Sequence, residues 1–176
     1  MASGGGAELA FHARGRTLSG LEHFELANRL SVHPPSRLFV NDRLDVAIAV
    51  HATGVQLTGA SLGPEEARRL DPAWWIGVSV HDLREARAAH TAAADYLLVG
   101  PVFPTPTHPG RQPLDRAVLR SIAGLGLPVI AIGGVGPERI AELRDSGVHG
   151  VAAIRALWDA PHPAEAARRL LEELTR

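Results

Sequence analysis

Short apolar runs alternate with longer amphipathic stretches along this 176-residue chain. The runs are rich in Val, Ile and Leu and end at Gly, Asn or polar residues, which is typical of β-strands. The stretches between them have the apolar period of surface helices. Pro64 and Pro137 are each followed by Glu, as in a first helical turn. Regular alternation of this kind predicts βα units and a parallel sheet.

The pattern predicts a TIM-type (β/α) barrel of about seven strands, apparently without the first βα unit of a closed (β/α)8 barrel. Residues 1–7 are expected to be a flexible N-terminus and residues 8–176 a single domain. The predicted strands are Glu8–Ala13, Arg37–Asn41, Gly54–Leu57, Trp74–Val80, Tyr96–Gly100, Pro128–Gly133 and Gly150–Ile154. The predicted helices are Gly20–Leu30, Leu44–Val50, Pro64–Leu70, Leu83–Thr91, Asp115–Ala123, Pro137–Ser146 and Pro163–Leu174.

Charge and composition exclude several classes of function. The net charge of −1 gives no electrostatic reason to expect a nucleic acid or an anionic membrane as partner. The absence of Cys excludes disulfides, thiolate metal sites and thiol catalysis. No apolar run approaches the ~20 residues of a membrane span. The sequence therefore indicates a cytoplasmic protein.

Polar residues interrupt the predicted strands on one face. Side chains alternate along a strand, so His12 and Arg14 are expected to face the barrel interior, as are Gln56, Ser79 and His81. Active sites of such barrels lie at the carboxyl ends of the strands. The other histidines lack metal-ligand spacing and are expected at the surface: His23, His33, His51, His90, His149 and His162.

A glycine-rich turn, Gly133–Pro137, follows the sixth predicted strand. Glycines let backbone N–H groups approach an anion, and phosphate sites of these barrels often lie after the last two strands. The next strand ends at Ala153–Arg155. Both segments are candidates for binding phosphate. The alternative is a turn without a ligand.

Three segments carry a family resemblance. Residues 99–107, VGPVFPTPT, resemble the GPVFPTPTK signature of thiamin phosphate synthase. Residues 39–47, FVNDRLDVA, resemble its NDRvDlA segment, and Ile132–Gly134 resemble its phosphate loop. The resemblance implies a barrel enzyme that joins an aminopyrimidine diphosphate to a thiazole phosphate with the help of Mg²⁺.

Several departures from that family pattern affect its diphosphate and metal half. Asp42 matches one Mg²⁺ ligand of the family, but Ser61 stands where the family has the other, an Asp. A serine hydroxyl is a poor replacement for an anionic oxygen ligand. His108 replaces the lysine after TPT, and the family's QxRxK becomes His12 to Arg16.

Two further segments are similar to the TenI-like branch of the same family, whose members aromatise a carboxylated thiazole phosphate. These are Val55–Pro64 and Ser79–Ala86. The histidine of the second segment is the branch's proton-transfer residue, so the resemblance gives that role to His81. Histidine suits a proton shift near neutral pH. The favoured hypothesis is therefore a thiazole tautomerase, an isomerase that needs no cofactor.

Under this hypothesis His81 is the catalytic acid and base, and Asp42 holds Mg²⁺ only if the chain is a synthase. The expected substrate-binding residues are His12, Arg14, Arg16, Asn41, Gln56, Ser79, Thr105, Thr107 and His108. The expected phosphate-binding residues are Gly133, Gly134, Ala153, Ile154 and Arg155. A homo-oligomer is expected, because an open barrel leaves strand edges that need covering.

Two other functions stay open. One is the Mg²⁺-dependent synthase itself, and the other is a non-catalytic protein that binds thiazole phosphate. Several candidate residues also have plain structural alternatives. His81 and Asp42 are placed to cap helices, and Arg14 with Arg16 can form a surface pair.

Overall fold

A computed structural model of the chain describes residues 8–15, 17–33, 37–107 and 110–175. These residues form one parallel sheet with helices between its strands. The strands are β1 (Ala10–Ala13), β2 (Arg37–Asn41), β3 (Gly54–Leu57), β4 (Trp75–Val80), β5 (Tyr96–Val99), β6 (Val129–Ile132) and β7 (Gly150–Ala152). The helices are α1 (Gly20–Ser31), α2 (Leu44–Ala49), α3 (Pro64–Leu70), α4 (Leu83–Thr91), α5 (Arg116–Ala123), α6 (Ala141–Arg144), α7 (Arg155–Trp158) and α8 (Pro163–Thr175).

The strands follow one another in chain order across the sheet, and every neighbouring pair is parallel. This arrangement confirms the predicted TIM-type (β/α) fold with seven strands. Within the described residues, β1 and β7 each pair with a single neighbour, so they are the two edges of the curled sheet. The N-terminal segment 1–7, expected to be flexible, lies outside the described residues.

Side chains cap the start of three long helices. At α1, Ser19 and Glu22 form a reciprocal capping box, in which the Ser19 N–H donates to Glu22 Oε2 at 2.8 Å. Asp82 Oδ1 accepts the Glu85 N–H at α4, and Asp115 Oδ1 accepts the Ala117 N–H at α5, each at 2.7 Å. Such caps satisfy N–H groups that a helix cannot pair itself, so they fix where the helices begin.

The apolar core divides into two clusters that meet at β4. The first cluster lies behind β1–β4 and includes Val40, Val55 and Ile76, all with no exposed surface. The second lies behind β4–β7 and includes Leu97 and Ile122, which are equally buried. Burying one such side chain stabilises the fold by roughly 1.5–3 kcal/mol. The outward faces of the strands therefore hold the barrel together and leave the inward faces available for a site.

Two predictions about local structure are wrong. The helix predicted over Pro137–Ser146 is a 3-10 turn, Pro137–Arg139, followed by the short α6. His23 was expected at the surface, but it is buried in α1, where its Nε2 lies 2.9 Å from the Ala13 carbonyl oxygen. This backbone carbonyl gives the buried His23 ring a hydrogen-bond partner where α1 packs onto β1. Among the described residues, no helix is long and apolar enough to cross a membrane.

Candidate functional site

One layer of the barrel interior contains polar side chains from three strands. The parallel register places Asn41 of β2 beside Gln56 of β3, Gln56 beside Gly77 of β4, and Gly77 beside Tyr96 of β5. Asn41, Gln56 and Tyr96 are all buried. The expected inward residue Gln56 is thus accompanied by Asn41 and by a residue that the sequence analysis did not select, Tyr96.

Gly77 makes room for this layer. A Cβ atom at this position would lie 2.1 Å from Tyr96 Cζ and 2.5 Å from Gln56 Oε1. Only glycine therefore allows the Tyr96 ring to cross over β4 toward Gln56. Burial raises the pKa of the Tyr96 hydroxyl, which keeps it neutral. Within the described part of the chain, three buried atoms of the layer form no hydrogen bond: Asn41 Oδ1, Gln56 Oε1 and Tyr96 OH.

His12 lies next to this layer. Its ring stacks on Phe39 at a centroid distance of 5.1 Å, and Phe39 contacts Tyr96 edge-on at 5.5 Å. Burial of the ring lowers the pKa of His12 to about 4, against the opposing influence of the Asn41 side chain. Arg14, which is exposed beyond the end of β1, adds to the lowering. His12 is therefore a neutral, inward ring at neutral pH.

Gln56 connects two strand ends. Its Nε2 donates a hydrogen bond to Ser79 Oγ at 3.0 Å. Gln56 is the buried member of this pair, and Ser79 is the partly exposed member. The structure therefore brings His12, Asn41, Gln56 and Ser79 together across β1–β4.

Asp42 is held by the loop that follows β3. Its Oδ1 accepts hydrogen bonds from the Thr58 N–H and the Thr58 hydroxyl, each at 2.9 Å, and from the Ser61 hydroxyl. Asp42 has a φ of +59°, which turns the chain directly after Asn41. Asp42 does not cap α2, whose N-cap is Arg43. The carboxylate instead joins the ends of β2 and β3. The sequence analysis did not select Thr58 as a partner of Asp42.

The Mg²⁺ implied by the family resemblance requires more than this cluster provides. One carboxylate oxygen already accepts three hydrogen bonds, and the second family ligand is the hydroxyl of Ser61. Magnesium in proteins is usually bound by carboxylates together with substrate phosphates. Among the described residues, no group of three or more His, Cys, Asp or Glu is arranged to hold a metal. These residues do not fit an Mg²⁺ ion held by a pair of carboxylates.

His81 directly follows β4. Its Nδ1 is 3.0 Å from Glu85 Oε2, an oxygen that also accepts the His81 backbone N–H at 2.8 Å. The helix cap is Asp82, so His81 itself does not cap α4. The His81 side chain is 36% exposed, which leaves the ring accessible to a ligand.

Two loops interlock over β5 and β6. The Val102 N–H donates to the Ile132 carbonyl at 2.9 Å, and the Phe103 N–H donates to the Gly133 carbonyl at 3.0 Å. Gly133 and Gly134 have φ values of +99° and +65°, which glycine adopts without strain. A Cβ on Gly134 would lie 2.5 Å from the Pro104 carbonyl oxygen. Backbone sterics therefore require glycine here whether or not a phosphate binds.

The remaining predicted phosphate residues follow β7. Ala152 pairs with Ile132 in the sheet, so Ala153 follows its strand beside Gly133. Ile154 and Arg155 are exposed at the start of α7. Thr105 and Thr107 lie in the loop after β5, with their Oγ1 atoms 3.4 Å apart. Two predicted substrate residues, Arg16 and His108, lie outside the described residues.

The sequence carried signals for the residues that were missed. Tyr96 opens a strand with its side chain on the inward face, opposite a glycine on the neighbouring strand. Glu85 follows His81 by four residues, a spacing that brings side chains together on a helical turn. Thr58 follows a strand end, as Asp42 does.

Comparison with known sequences identifies one family. The profile of a family described as "Thiamine monophosphate synthase" matches residues 10–157. The thiamine-phosphate synthase of Thermus thermophilus is 40% identical over 166 residues, covering 93% of this chain and 78% of that protein. The thiamine-phosphate synthase of Pyrococcus abyssi is 39% identical, covering 83% of this chain and 72% of that protein. A bifunctional thiamine biosynthesis protein of Symbiobacterium thermophilum is 45% identical over 142 residues, which are 79% of this chain and 30% of that protein.

Solved structures agree with these matches. The thiamine phosphate pyrophosphorylase of Pyrococcus furiosus superposes with a TM-score of 0.89 at 34% identity, covering 99% of this chain and 86% of that chain. A 3-hexulose-6-phosphate synthase superposes with a TM-score of 0.72 at 17% identity over 94% of this chain and 86% of that chain, a similarity that concerns the fold alone.

These findings contradict the favoured hypothesis of a TenI-like thiazole tautomerase. The relatives from Pyrococcus abyssi and Thermus thermophilus, 39% and 40% identical to this chain, are named thiamine-phosphate synthase. The isomerase assignment is therefore wrong, and the alternative of a synthase, a transferase, is better supported. The similarity of two short segments to the tautomerase branch counts for less than the similarity of most of the chain to the synthases.

Proposed function

This chain belongs to the thiamine monophosphate synthase family, and we propose that it joins an aminopyrimidine diphosphate to a thiazole phosphate. In this reaction the thiazole nitrogen forms a bond to the methylene carbon of the pyrimidine, and the bond from that carbon to the diphosphate oxygen breaks. The diphosphate leaves with the electron pair. No proton needs to move in this exchange.

The observation that supports the proposal is the presence of two different surfaces at the same end of the sheet, one of polar side chains and one of backbone. The first surface consists of His12, Asn41, Gln56 and Ser79 at the ends of β1–β4. The second consists of the backbone around Gly133 and Ala153, with the loop 100–107 above it. A reaction that joins two substrates needs such a pair of neighbouring surfaces, because catalysis depends on holding both reactants in contact.

We assign the thiazole phosphate to the second surface. Glycines with positive φ expose backbone N–H groups in the concave arrangement that binds anions. Gly133, Gly134 and Ala153 provide this backbone, while Ile154 and Arg155 border it with exposed side chains. Thr105 and Thr107 contribute hydroxyl groups from the loop after β5.

We assign the aminopyrimidine diphosphate to the first surface. The amide oxygens of Asn41 and Gln56 can accept from the amino group of the pyrimidine, and the Tyr96 hydroxyl can donate to a ring nitrogen. The neutral ring of His12 adds a further partner. The guanidinium of Arg14, exposed beyond β1, matches the charge of a diphosphate. Arg16 and His108 are further candidates for the diphosphate.

Ser61 weakens the metal part of this assignment. Because the cluster around Asp42 does not fit an ion held by two carboxylates, no step of the reaction is assigned to a metal here. The chemistry supported by the chain's own residues is binding and orientation of the two substrates. Asp42 instead holds the loop after β3 against the end of β2.

A turnover assay tests the proposal. Purified protein receives both substrates, with and without Mg²⁺, and thiamin phosphate is quantified by chromatography alongside reactions that omit one substrate. Formation of thiamin phosphate only when both substrates are present is the expected result. Folded protein that forms no product under any of these conditions, even with Mg²⁺ added, contradicts the proposal.

A further inference from the structure

His81 and Glu85 form a contact that the proposed reaction does not yet use. One carboxylate oxygen, Glu85 Oε2, accepts the His81 backbone N–H at 2.8 Å and lies 3.0 Å from the ring nitrogen Nδ1. Both side chains are about one-third exposed, 36% for His81 and 37% for Glu85. The pair therefore lies at the rim of the barrel, where a ligand can reach the imidazole.

The contact determines which ring nitrogen carries the proton. A neutral imidazole has one N–H donor and one acceptor nitrogen, and an ionised carboxylate only accepts. Nδ1 must therefore be the donor in this contact, which leaves Nε2 as the acceptor of the neutral ring. Histidines that bind metals or substrates are commonly oriented by a carboxylate in this way.

The surroundings hold Glu85 in place independently of the ring. Its own N–H donates to Asp82 Oδ1 at 2.7 Å, and its Oε2 accepts the backbone N–H of His81. The exposed Arg84 guanidinium lies 3.8 Å from Asp82 and 4.0 Å from Glu85. These contacts fix the carboxylate at the start of α4, so the ring of His81 adapts to it.

We propose that Glu85 is a positioning residue that fixes His81 in the Nδ1–H form, so that Nε2 accepts a hydrogen bond from the amino group of the aminopyrimidine. This proposal rests on the proposed function, which supplies the two substrates. The diphosphate and phosphate groups offer acceptors, whereas the amino group is the donor that matches an acceptor nitrogen. As the carbon–oxygen bond breaks, positive charge spreads into the aminopyrimidine, and an acceptor at its N–H stabilises that charge.

The first test measures the ring itself and needs no turnover. Two-bond ¹H–¹⁵N spectra of the protein, above neutral pH and without ligand, distinguish a protonated from an unprotonated ring nitrogen. The parent protein is expected to show His81 as the Nδ1–H form, and Glu85→Ala a mixture of both forms. Glu85→Gln, which keeps the size of the side chain but adds an amide donor, is expected to show a mixture as well.

Asp115→Ala is the matched control for loss of helix stability. It removes the cap of α5, a comparable helix contact far along the chain from His81. This variant is expected to keep His81 in the Nδ1–H form. A parent protein with His81 in the Nε2–H form, or a form unchanged in Glu85→Ala, overturns the proposal.

The second test measures affinity by calorimetry with the aminopyrimidine diphosphate and, separately, the thiazole phosphate. Glu85→Ala and His81→Ala are each expected to bind the aminopyrimidine diphosphate about tenfold more weakly and the thiazole phosphate within twofold of the parent. Equal weakening for both ligands, or none for either, contradicts the role of Glu85. Failure of the turnover assay with these binding results intact contradicts the proposed function and leaves the positioning role standing.

Discussion

The rim of the barrel over β1–β4 is built from side chains, whereas the rim over β5–β7 is built mainly from backbone. In the first, Gln56 and Ser79 share a hydrogen bond, and Asp42 joins the loop of Thr58 and Ser61. In the second, the loop after β5 donates backbone hydrogen bonds to Ile132 and Gly133. The two core clusters divide at the same strand, β4.

This difference accounts for the departure from the family's pattern at Ser61. A side-chain rim can change one residue at a time, as at Ser61, because a hydrogen bond from a hydroxyl replaces one function of a carboxylate. A backbone rim of packed glycines tolerates little change, because a Cβ on Gly100, Gly133 or Gly134 would lie within 3 Å of a neighbouring backbone atom. The recognisable GPVFPTPT and glycine segments lie on this second rim.

The largest expected effect concerns the backbone rim. Gly134→Ala places a Cβ 2.5 Å from the Pro104 carbonyl oxygen at a φ of +65°. We expect the free energy of unfolding to fall by about 4 kcal/mol, since strain and overpacking add. Denaturant unfolding measures it. Gly126→Ala is the control, because Gly126 also has a positive φ but nothing within 4 Å of the added Cβ. A similar loss in both variants shows that the packing of the two loops contributes nothing.

The next effect concerns the side-chain rim and depends on pH. The pKa of His12 is lowered from 6.5 to about 4 in the folded protein. As pH falls below 6.5 the unfolded chain binds a proton at His12 that the folded chain does not bind until about pH 4. Stability is therefore lost as pH falls through this window, by at most about 3 kcal/mol.

His12→Gln isolates this contribution, because glutamine does not titrate and other ionisable groups remain the same. Denaturant unfolding of the two proteins at several pH values from neutral to acidic measures the difference. The stability of the parent is expected to fall more steeply than that of the variant. Parallel curves contradict a neutral His12 in the folded protein.

A smaller effect is expected from restoring the second carboxylate. Ser61→Asp places a carboxylate beside Asp42, and without metal the repulsion should lower stability by about 1 kcal/mol. Titration with Mn²⁺, followed by electron paramagnetic resonance, should show about tenfold tighter binding than in the parent. Ser61→Asn controls for the lost hydroxyl without adding charge. Tight Mn²⁺ binding by the parent that Asp42→Asn abolishes shows that the native donor set already fits a metal.

The smallest effect concerns Tyr96. Its buried hydroxyl forms no hydrogen bond within the described residues, so Tyr96→Phe removes a polar group that burial disfavours. We expect a change in the free energy of unfolding within about 1 kcal/mol, toward greater stability, by the same denaturant measurement. A loss well above this range indicates that the hydroxyl has a partner, such as a buried water.

Much of the fold could be predicted because strand–helix alternation is a local property of the sequence. The strand faces of Gln56 and Ser79 followed from side-chain parity, and their hydrogen bond confirms it. Contacts between distant segments could not be predicted. His23 is buried with its ring against the Ala13 carbonyl, and Gly77 leaves space for the Tyr96 ring of the neighbouring strand. The prediction of function was wrong because it gave two short segments, Val55–Pro64 and Ser79–Ala86, more weight than the rest of the chain.

The assignment of the two substrates to the two rims can be measured most directly by NMR on this 18.7 kDa chain. Backbone amide shifts are recorded with thiazole phosphate alone and with aminopyrimidine diphosphate alone. The first ligand is expected to shift the amides of Gly133, Gly134 and Ala153, and the second those around Asn41, Gln56 and His81. If both ligands shift the same amides, the two rims do not serve two substrates and the synthase account is contradicted.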